Sequence, residues 1–310
     1  MKTKNGFATV GLLLAMILTS SAQSSSKTTH TDVGAALDFT IATCRTPDGG
    51  SLLGGNSEIN GTTDFRVVRT DKSGNIKWDR TYGGDRVDEL TTLEPATDGG
   101  YIIGGRSNSG ISGDKSQYTL GKYDFWIVKI DGNGHVEWDR TYGGYEKDNL
   151  VAIKQLADGV IVLAGYSNSN KYLVQHRDSD YMVLWIDQRG ELLKQQLYGQ
   201  SGKDILSSMV LLSDGGILLG GYSQEDNLPE FEYVLLKLDR FGSELWTKSV
   251  GSASDEYLAT LEGIENVQDG GFILHGDHAA GNWVIKFDLE GNRSFVDTTI
   301  NNMIAIVKNN

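Results

Sequence analysis

A single cysteine, Cys44, and three prolines are spread over 310 residues. One cysteine excludes an intrachain disulfide, so stability must come from packing or bound ions. Basic residues are scarce too. The 28 Lys and Arg against 41 Asp and Glu leave a formal charge of -13, a field that repels phosphate backbones and excludes nucleic acid as a natural partner. No Gly-x-Ser-x-Gly elbow and no phosphate-binding loop occur, and Cys44 lacks a motif that would make it a nucleophile. His30, His135, His176, His275 and His278 fall into no zinc spacing; the close pair His275 and His278 reads as strand packing.

What is abundant is glycine, with 39 residues and no period of three. That excludes collagen and implies many tight turns. At this length and 39% apolar content, one large all-β domain is as natural as two smaller ones.

Residues 1–22 read as a signal peptide. Lys2 and Lys4 precede an apolar run from Phe7 to Leu18, and small residues through Ala22 offer a cleavage point. The run falls short of the roughly 20 residues of a membrane span, although a retained anchor is the alternative reading. No cysteine stands at the cleavage zone for lipid attachment. Residues 23–37 then form a linker, and an extracytoplasmic location is expected.

Three landmarks recur from residue 38 to residue 300. The first is an Asp-Gly turn at Asp48, Asp98, Asp158, Asp214 and Asp269, each followed by an apolar strand such as YIIGG or ILLGG. The second is an acidic or small residue, a strand, then Asp-x-x-Gly, as in DFRVVRTDKSG, DFWIVKIDGNG, DYMVLWIDQRG, EYVLLKLDRFG and GNWVIKFDLEG. The third follows as Trp78, Trp138 and Trp246, with Lys194 and Phe295 at the matching places, and runs into Tyr82-Gly83-Gly84, Tyr142-Gly143-Gly144 and Tyr198-Gly199-Gln200. An Asp opens each unit, at Asp38, Asp88, Asp148, Asp204 and Asp255. The Asp-Gly turns are 50, 60, 56 and 55 residues apart, enough for four short strands, A to D, per unit. Four strands joined by glycine-rich turns are the content of a propeller blade.

Length variation is confined to the B–C connection, which holds 8, 18, 14, 10 and 4 residues in the successive units. Surface loops vary in this way and paired strands do not. Strand C is nearly continuously apolar, as in Phe125-Trp126-Ile127-Val128, which suits burial on both faces between stacked blades. In Asp-x-x-Gly the Asp accepts backbone N–H bonds and the Gly takes a positive φ. The Trp that follows is placed to cover the junction between blades.

This turn resembles the Asp-box of sialidase-type propellers, without the sialidase arginines and catalytic tyrosine, so the resemblance implies structure only. The whole unit, with YDFWIVKID, a Trp, YGG and then DGG, resembles secreted repeat proteins of Bacteroidetes-like bacteria over about Asp38 to Phe295. It implies a propeller and export but assigns no chemistry. The C-terminal sorting domain that often accompanies such proteins is not seen before Asn310.

The expected fold is therefore an all-β, five-bladed β-propeller of four-stranded antiparallel blades. Residues 301–310 are expected to close it, because NMIAIV echoes NLVAI at Asn149–Ile153. Six blades with the last incomplete, or an open stack, are the alternatives.

In such a blade the D–A and B–C connections share one face. Asp38, Asp88, Asp148, Asp204 and Asp255 lie near the channel mouth, either capping their own turns or converging on a hard cation such as Ca2+. Asp131-Gly132-Asn133-Gly134 looks like a calcium loop but lacks the closing bidentate Glu, so a hairpin turn is expected. On the long inserts, Tyr118, Tyr123, Tyr166 and Tyr172, with Asn168, Asn170 and His176, offer stacking and hydrogen bonding to a glycan or peptide. Trp126 and Trp283, being repeat positions, read as core.

These features point to a non-enzymatic recognition or scaffold protein, exported to bind protein or carbohydrate through the B–C face. A glycoside hydrolase or lyase using two carboxylates without sequence warning is one alternative. A purely structural envelope protein is the other.

Overall fold

A computed structural model describes residues 40–59, 61–169, 179–199, 202–225, 231–252, 261–267, 270–278 and 281–297. They form twenty strands in five sheets, each a meander of four consecutive antiparallel strands. Blade 1 holds β1 (Ala42–Arg45), β2 (Ser51–Ile59), β3 (Thr62–Thr70) and β4 (Ile76–Tyr82). Blade 2 holds β5 (Asp88–Pro95), β6 (Tyr101–Ser107), β7 (Asp124–Ile130) and β8 (Val136–Tyr142). Blade 3 holds β9 (Asp148–Gln155), β10 (Ile161–Ser167), β11 (Asp180–Ile186) and β12 (Leu192–Tyr198). Blade 4 holds β13 (Gly202–Leu211), β14 (Ile217–Glu225), β15 (Glu232–Leu238) and β16 (Glu244–Ser252). Blade 5 holds β17 (Leu261–Asn266), β18 (Phe272–His278), β19 (Gly281–Phe287) and β20 (Arg293–Asp297). The arrangement is that of a five-bladed β-propeller. Asp38, Asp255, Asn170, Tyr172, His176 and the segment 301–310 lie outside the described residues.

The apolar core lies between sheets. All seven residues of β7 are buried. Phe125 and Ile127 pack with blade 3 residues such as Leu163 and Met182, whereas Trp126, Val128 and Ile130 join Phe65 and Val67 of blade 1. The Phe65 and Trp126 rings lie 4.8 Å apart. Adjacent strand residues point to opposite faces, so the unbroken apolar run serves two junctions at once.

Polar groups join the blades as well. Each Asp-x-x-Gly turn is closed from within: the Asp131 carboxylate accepts the N–H groups of Asn133 and His135 at 2.8 and 2.9 Å, and Gly134 has φ 80°. Asp71, Asp187, Asp239 and Asp288 accept in the same way. These bonds draw the Asp71, Asp131, Asp239 and Asp288 carboxyls below their usual pKa, and no ion is required to hold the loop.

The carbonyls of the turn then point at the preceding blade. Trp78 Nε1 donates to Gly132 O at 3.1 Å, Trp138 Nε1 to Gln188 O at 3.0 Å and Trp246 Nε1 to Leu289 O at 3.2 Å. Tyr82, Tyr142 and Tyr198 hydroxyls donate to Gly134, Gly190 and Gly242 carbonyls at 2.8, 2.6 and 2.6 Å. Lys194 replaces the Trp in blade 3, and its Nζ donates to Phe241 O at 2.7 Å. Its cross-strand partner Trp185 supplies the indole, donating to Arg240 O at 3.1 Å. In the other three clamping blades the pairs are Arg69 with Trp78, Lys129 with Trp138 and Lys237 with Trp246. A cation and an indole are thus kept side by side, with the strands exchanged in blade 3.

The Tyr142 hydroxyl is buried, and its removal leaves the Gly190 carbonyl without its donor. Tyr142→Phe is expected to lower unfolding free energy by about 1 kcal/mol, measured by urea denaturation. No change would detach the clamp from stability.

Candidate functional site

The D–A and B–C connections converge as expected, and the strand A aspartates stand at their junctions. Asp88 Oδ2 accepts the Gly84 N–H at 2.7 Å and the Ser109 hydroxyl at 2.8 Å. Asp148 Oδ2 accepts the Gly144 N–H at 2.7 Å and the Ser169 hydroxyl at 3.0 Å, and its Oδ1 accepts the Ser167 hydroxyl. Both side chains are fully buried, and Asp204 nearly so. Among the described residues no three His, Cys, Asp or Glu side chains form a group able to hold a metal ion.

Among the described residues, Asp88, Asp148 and Asp204 instead face Asp64, Asp124 and Asp180, the acids near the start of strand C of the preceding blade. A Cβ on Gly143 would lie 2.4 Å from Asp124 Oδ1 and 2.6 Å from Asp148 Oδ2. On Gly199 it would lie 2.4 Å from Asp180 Oδ1 and 2.6 Å from Asp204 Oδ2, and on Gly83 it would lie 2.2 Å from Asp64 Oδ1. The first Gly of each Tyr-Gly pair is therefore required by the carboxyl pair behind it. Burial, together with the neighbouring Asp88 or Asp148, raises Asp64 and Asp124 to about 6. Burial also raises Asp88 and Asp148. Asp124 Oδ1 has no donor, and it lies close enough to Asp148 for the two to share a proton.

Composition and motif reading missed Lys115, which the 18-residue insert carries inward. It is 2% exposed, donates to Thr141 Oγ1 and lies 5.7 Å from the Trp126 ring centre. Burial lowers it to about 8, against the opposing pull of Asp139, Asp88 and Asp124. The insert is stitched to the connection before blade 2 by Asp114 N–H to Gly83 O, Asn108 N–H to Val87 O and Gly110 N–H to Asp85 Oδ1. At its other end Lys122 N–H donates to Glu146 O, and Asp148 N–H to Tyr123 O.

The loop aromatics have unlike fates. Tyr118 is 68% exposed. Tyr123 is half-buried, with the Arg106 guanidinium 5.0 Å from its ring centre. Tyr166 is a half-buried member of β10, paired with Tyr181, and Asn168 Nδ2 donates to Ser179 Oγ at 3.0 Å. The same insert exposes Ile111 and Leu120 at 53% and 63%, and Tyr145, whose backbone adjoins Gly121 of the insert, is 82% exposed. Cys44 is half-buried, and burial lifts its thiol to about 12, a poor nucleophile. His275 lies 3.5 Å from Glu265 on the neighbouring strand. Among the described residues no helix is long and apolar enough to cross a membrane.

A propeller-like repeat protein is the class these features define. No family model matches the chain. Over 124 residues it is 29% identical to the regulatory protein FlaEY of Caulobacter vibrioides, covering 39% of this chain but 13% of that protein. Its fold is similar to that of a protein of unknown function from Bacteroides caccae, with TM-score 0.51 and 12% identity over 82% of this chain and 74% of that one. It is also similar to a D477G ACO/RPE65 chimera, with TM-score 0.52 and 11% identity over 84% and 63% of the two chains. Both likenesses concern the fold alone.

The carboxyl pairs set a pH dependence. A carboxyl raised in the folded state stabilises fully below its ordinary pKa, and that stability is lost as pH rises through the folded value, here about 6 for Asp64 and Asp124. Asp71, Asp131, Asp239 and Asp288 act oppositely and lose stability only as pH falls below the ordinary carboxylate range. The melting temperature is expected to rise from about pH 7.5 to about pH 5, and Asp124→Asn is expected to flatten part of that rise. A melting temperature that falls over this interval contradicts the pairing.

Proposed function

We propose that this chain is an exported, non-enzymatic recognition propeller that binds a protein or carbohydrate through the face of its B–C inserts. The observation that carries this reading is the insert between β6 and β7. It is fixed at both ends to neighbouring connections, yet it presents Ile111, Tyr118 and Leu120 to solvent beside Tyr145. An ordered loop displaying apolar and aromatic side chains loses little entropy on binding, and contiguous exposed apolar groups mark interaction surfaces. The leader-like residues 1–22 support delivery outside the cytoplasm, to an envelope protein or a glycan. The ring is read as closed. Leu53 and Val68 point away from blade 2, and they and Val284 of blade 5 are at most 4% exposed, so these inner positions are covered.

The test is a glycan array and an envelope-protein binding screen with the chain and its Tyr118→Ser, Tyr145→Ser double variant. Exposed positions barely affect stability, so the melting temperature should hold while affinity for any ligand found falls about tenfold or more. Binding indifferent to the double variant, or turnover of a glycan abolished by one carboxylate substitution, overturns the reading.

A further inference from the structure

At the end of the blades opposite the inserts, a cavity of about 460 Å3 opens between the A–B turns of blades 3 and 4. Leu156, Leu211, Leu212 and Leu245 line it, with Asp214, Asp239 and Arg240 among its polar groups. The neighbouring seam shows why it is open. Between blades 2 and 3, Gln155 stands where blade 4 has Leu211, and Gln188 where it has Arg240. Gln155 Oε1 accepts the Thr97 N–H at 2.8 Å, and its Nε2 donates to Gly159 O at 3.1 Å. Gln188 covers the same turn, since a Cβ on Gly159 would lie 1.9 Å from its Nε2. In blade 4 the leucine has no amide to give, and Arg240 leaves its own blade to bind Asp158 of blade 3. Among the described residues nothing then lies within 4 Å of a Cβ on Gly215, the counterpart of Gly159.

Four leucine side chains favour an apolar occupant, and the volume is that of a small-molecule site. The main-chain groups of the lining are already paired. Leu156 N–H donates to Val160 O and Leu212 N–H to Gly216 O, while Leu156 O accepts Gly159 N–H and Leu212 O accepts Gly215 N–H. Leu211 O accepts Asn266 Nδ2 at 2.5 Å. A peptide would bring amides that find no partners here, whereas an alkyl chain brings none. Charge selects the head group. Asp214 accepts Lys237 Nζ on one oxygen and the Gly216 N–H, at 2.9 Å, on the other. Asp239 Oδ1 accepts the N–H groups of Phe241 and Ser243 at 2.8 Å each. Arg240, with five N–H donors, is 45% exposed, and among the described residues Asp158 alone accepts from it. The remaining donors suit a carboxylate, which a guanidinium binds in bidentate fashion. The net charge of -13 opposes an anion only through screening solvent, whereas this pair is direct.

We infer that the cavity between blades 3 and 4 is a binding site for a free alkyl carboxylate, with its chain among Leu156, Leu211, Leu212 and Leu245 and its head group on Arg240. The guanidinium is positioned before the ligand arrives, by Asp158 on one side and by the Phe241 ring, whose centre lies 5.2 Å from Cζ, so little ordering is left for binding to impose. This site lies with the A–B and C–D turns, apart from the B–C insert face, and does not depend on the function proposed for that face.

The test is isothermal titration calorimetry of the full chain with octanoate, octylammonium and acetate. Octanoate is expected to saturate with one molecule per chain. Octylammonium, which sets a cation against Arg240, and acetate, which lacks the chain, are each expected to bind at least about tenfold more weakly. Arg240→Gln changes an exposed side chain, so the protein should stay folded while its affinity for octanoate falls about tenfold. The double variant Leu211→Gln, Arg240→Gln gives blade 4 the two glutamines of blade 3 and is expected to abolish saturable binding. Absence of saturable octanoate binding, equal binding of octylammonium or acetate, or undiminished octanoate binding by folded Arg240→Gln protein overturns the inference.

Discussion

Everything in this molecule depends on how the backbone carbonyls of one blade's outer turn are satisfied by the blade before it. A turn that exposes carbonyls at a packed junction carries a desolvation penalty unless donors meet them. The indole, the cation and the phenol of strand D supply those donors. The Asp-x-x-Gly loop is rigid enough to present the carbonyls in one geometry because its Asp satisfies the N–H groups from inside. Blade 3 shows that the requirement falls on the junction and not on a position. With Lys194 where Trp is expected, Trp185 reaches across the strand pair to the same carbonyl, Arg240 O.

The opposite face is organised by charge. Carboxyl pairs such as Asp124 with Asp148 occupy the space a side chain would need at Gly143, which gives the Tyr-Gly repeat a packing cause. The long insert of blade 2 closes over this region and carries Lys115 into it. Two ends of one scaffold are thereby separated. One end is locked by hydrogen-bonded turns, and the other is a surface on which an ordered loop displays Tyr118 and Leu120.

The repeat architecture was legible because its causes are local. A positive φ demands Gly, an Asx turn demands Asp, and a strand buried on both faces is apolar throughout. Trp78 and Trp138 were readable as junction covers because their place after the turn is fixed. The carboxyl pairing was harder to read, since its members belong to different repeats. Asp64 and Asp88, Asp124 and Asp148, and Asp180 and Asp204 are nevertheless each 24 residues apart, a constant interval that carried the signal. Lys115 gave none, because a non-repeating loop has no periodicity to reveal which side chain turns inward. The fates of Tyr123 and Tyr166 were likewise set by neighbours, Arg106 and β11, that only the register discloses.

The central claim is that a strand D clamp ties each of blades 1 to 4 to the blade that follows it. Hydrogen exchange read by mass spectrometry on the Trp138→Phe, Tyr142→Phe double variant tests it most directly. Faster exchange is predicted in β7 and β8 of blade 2 and in β11 of blade 3 alike, since both sides lose their shared support. Deprotection confined to Asp187–Glu191, with the flanking strands unchanged, would contradict it.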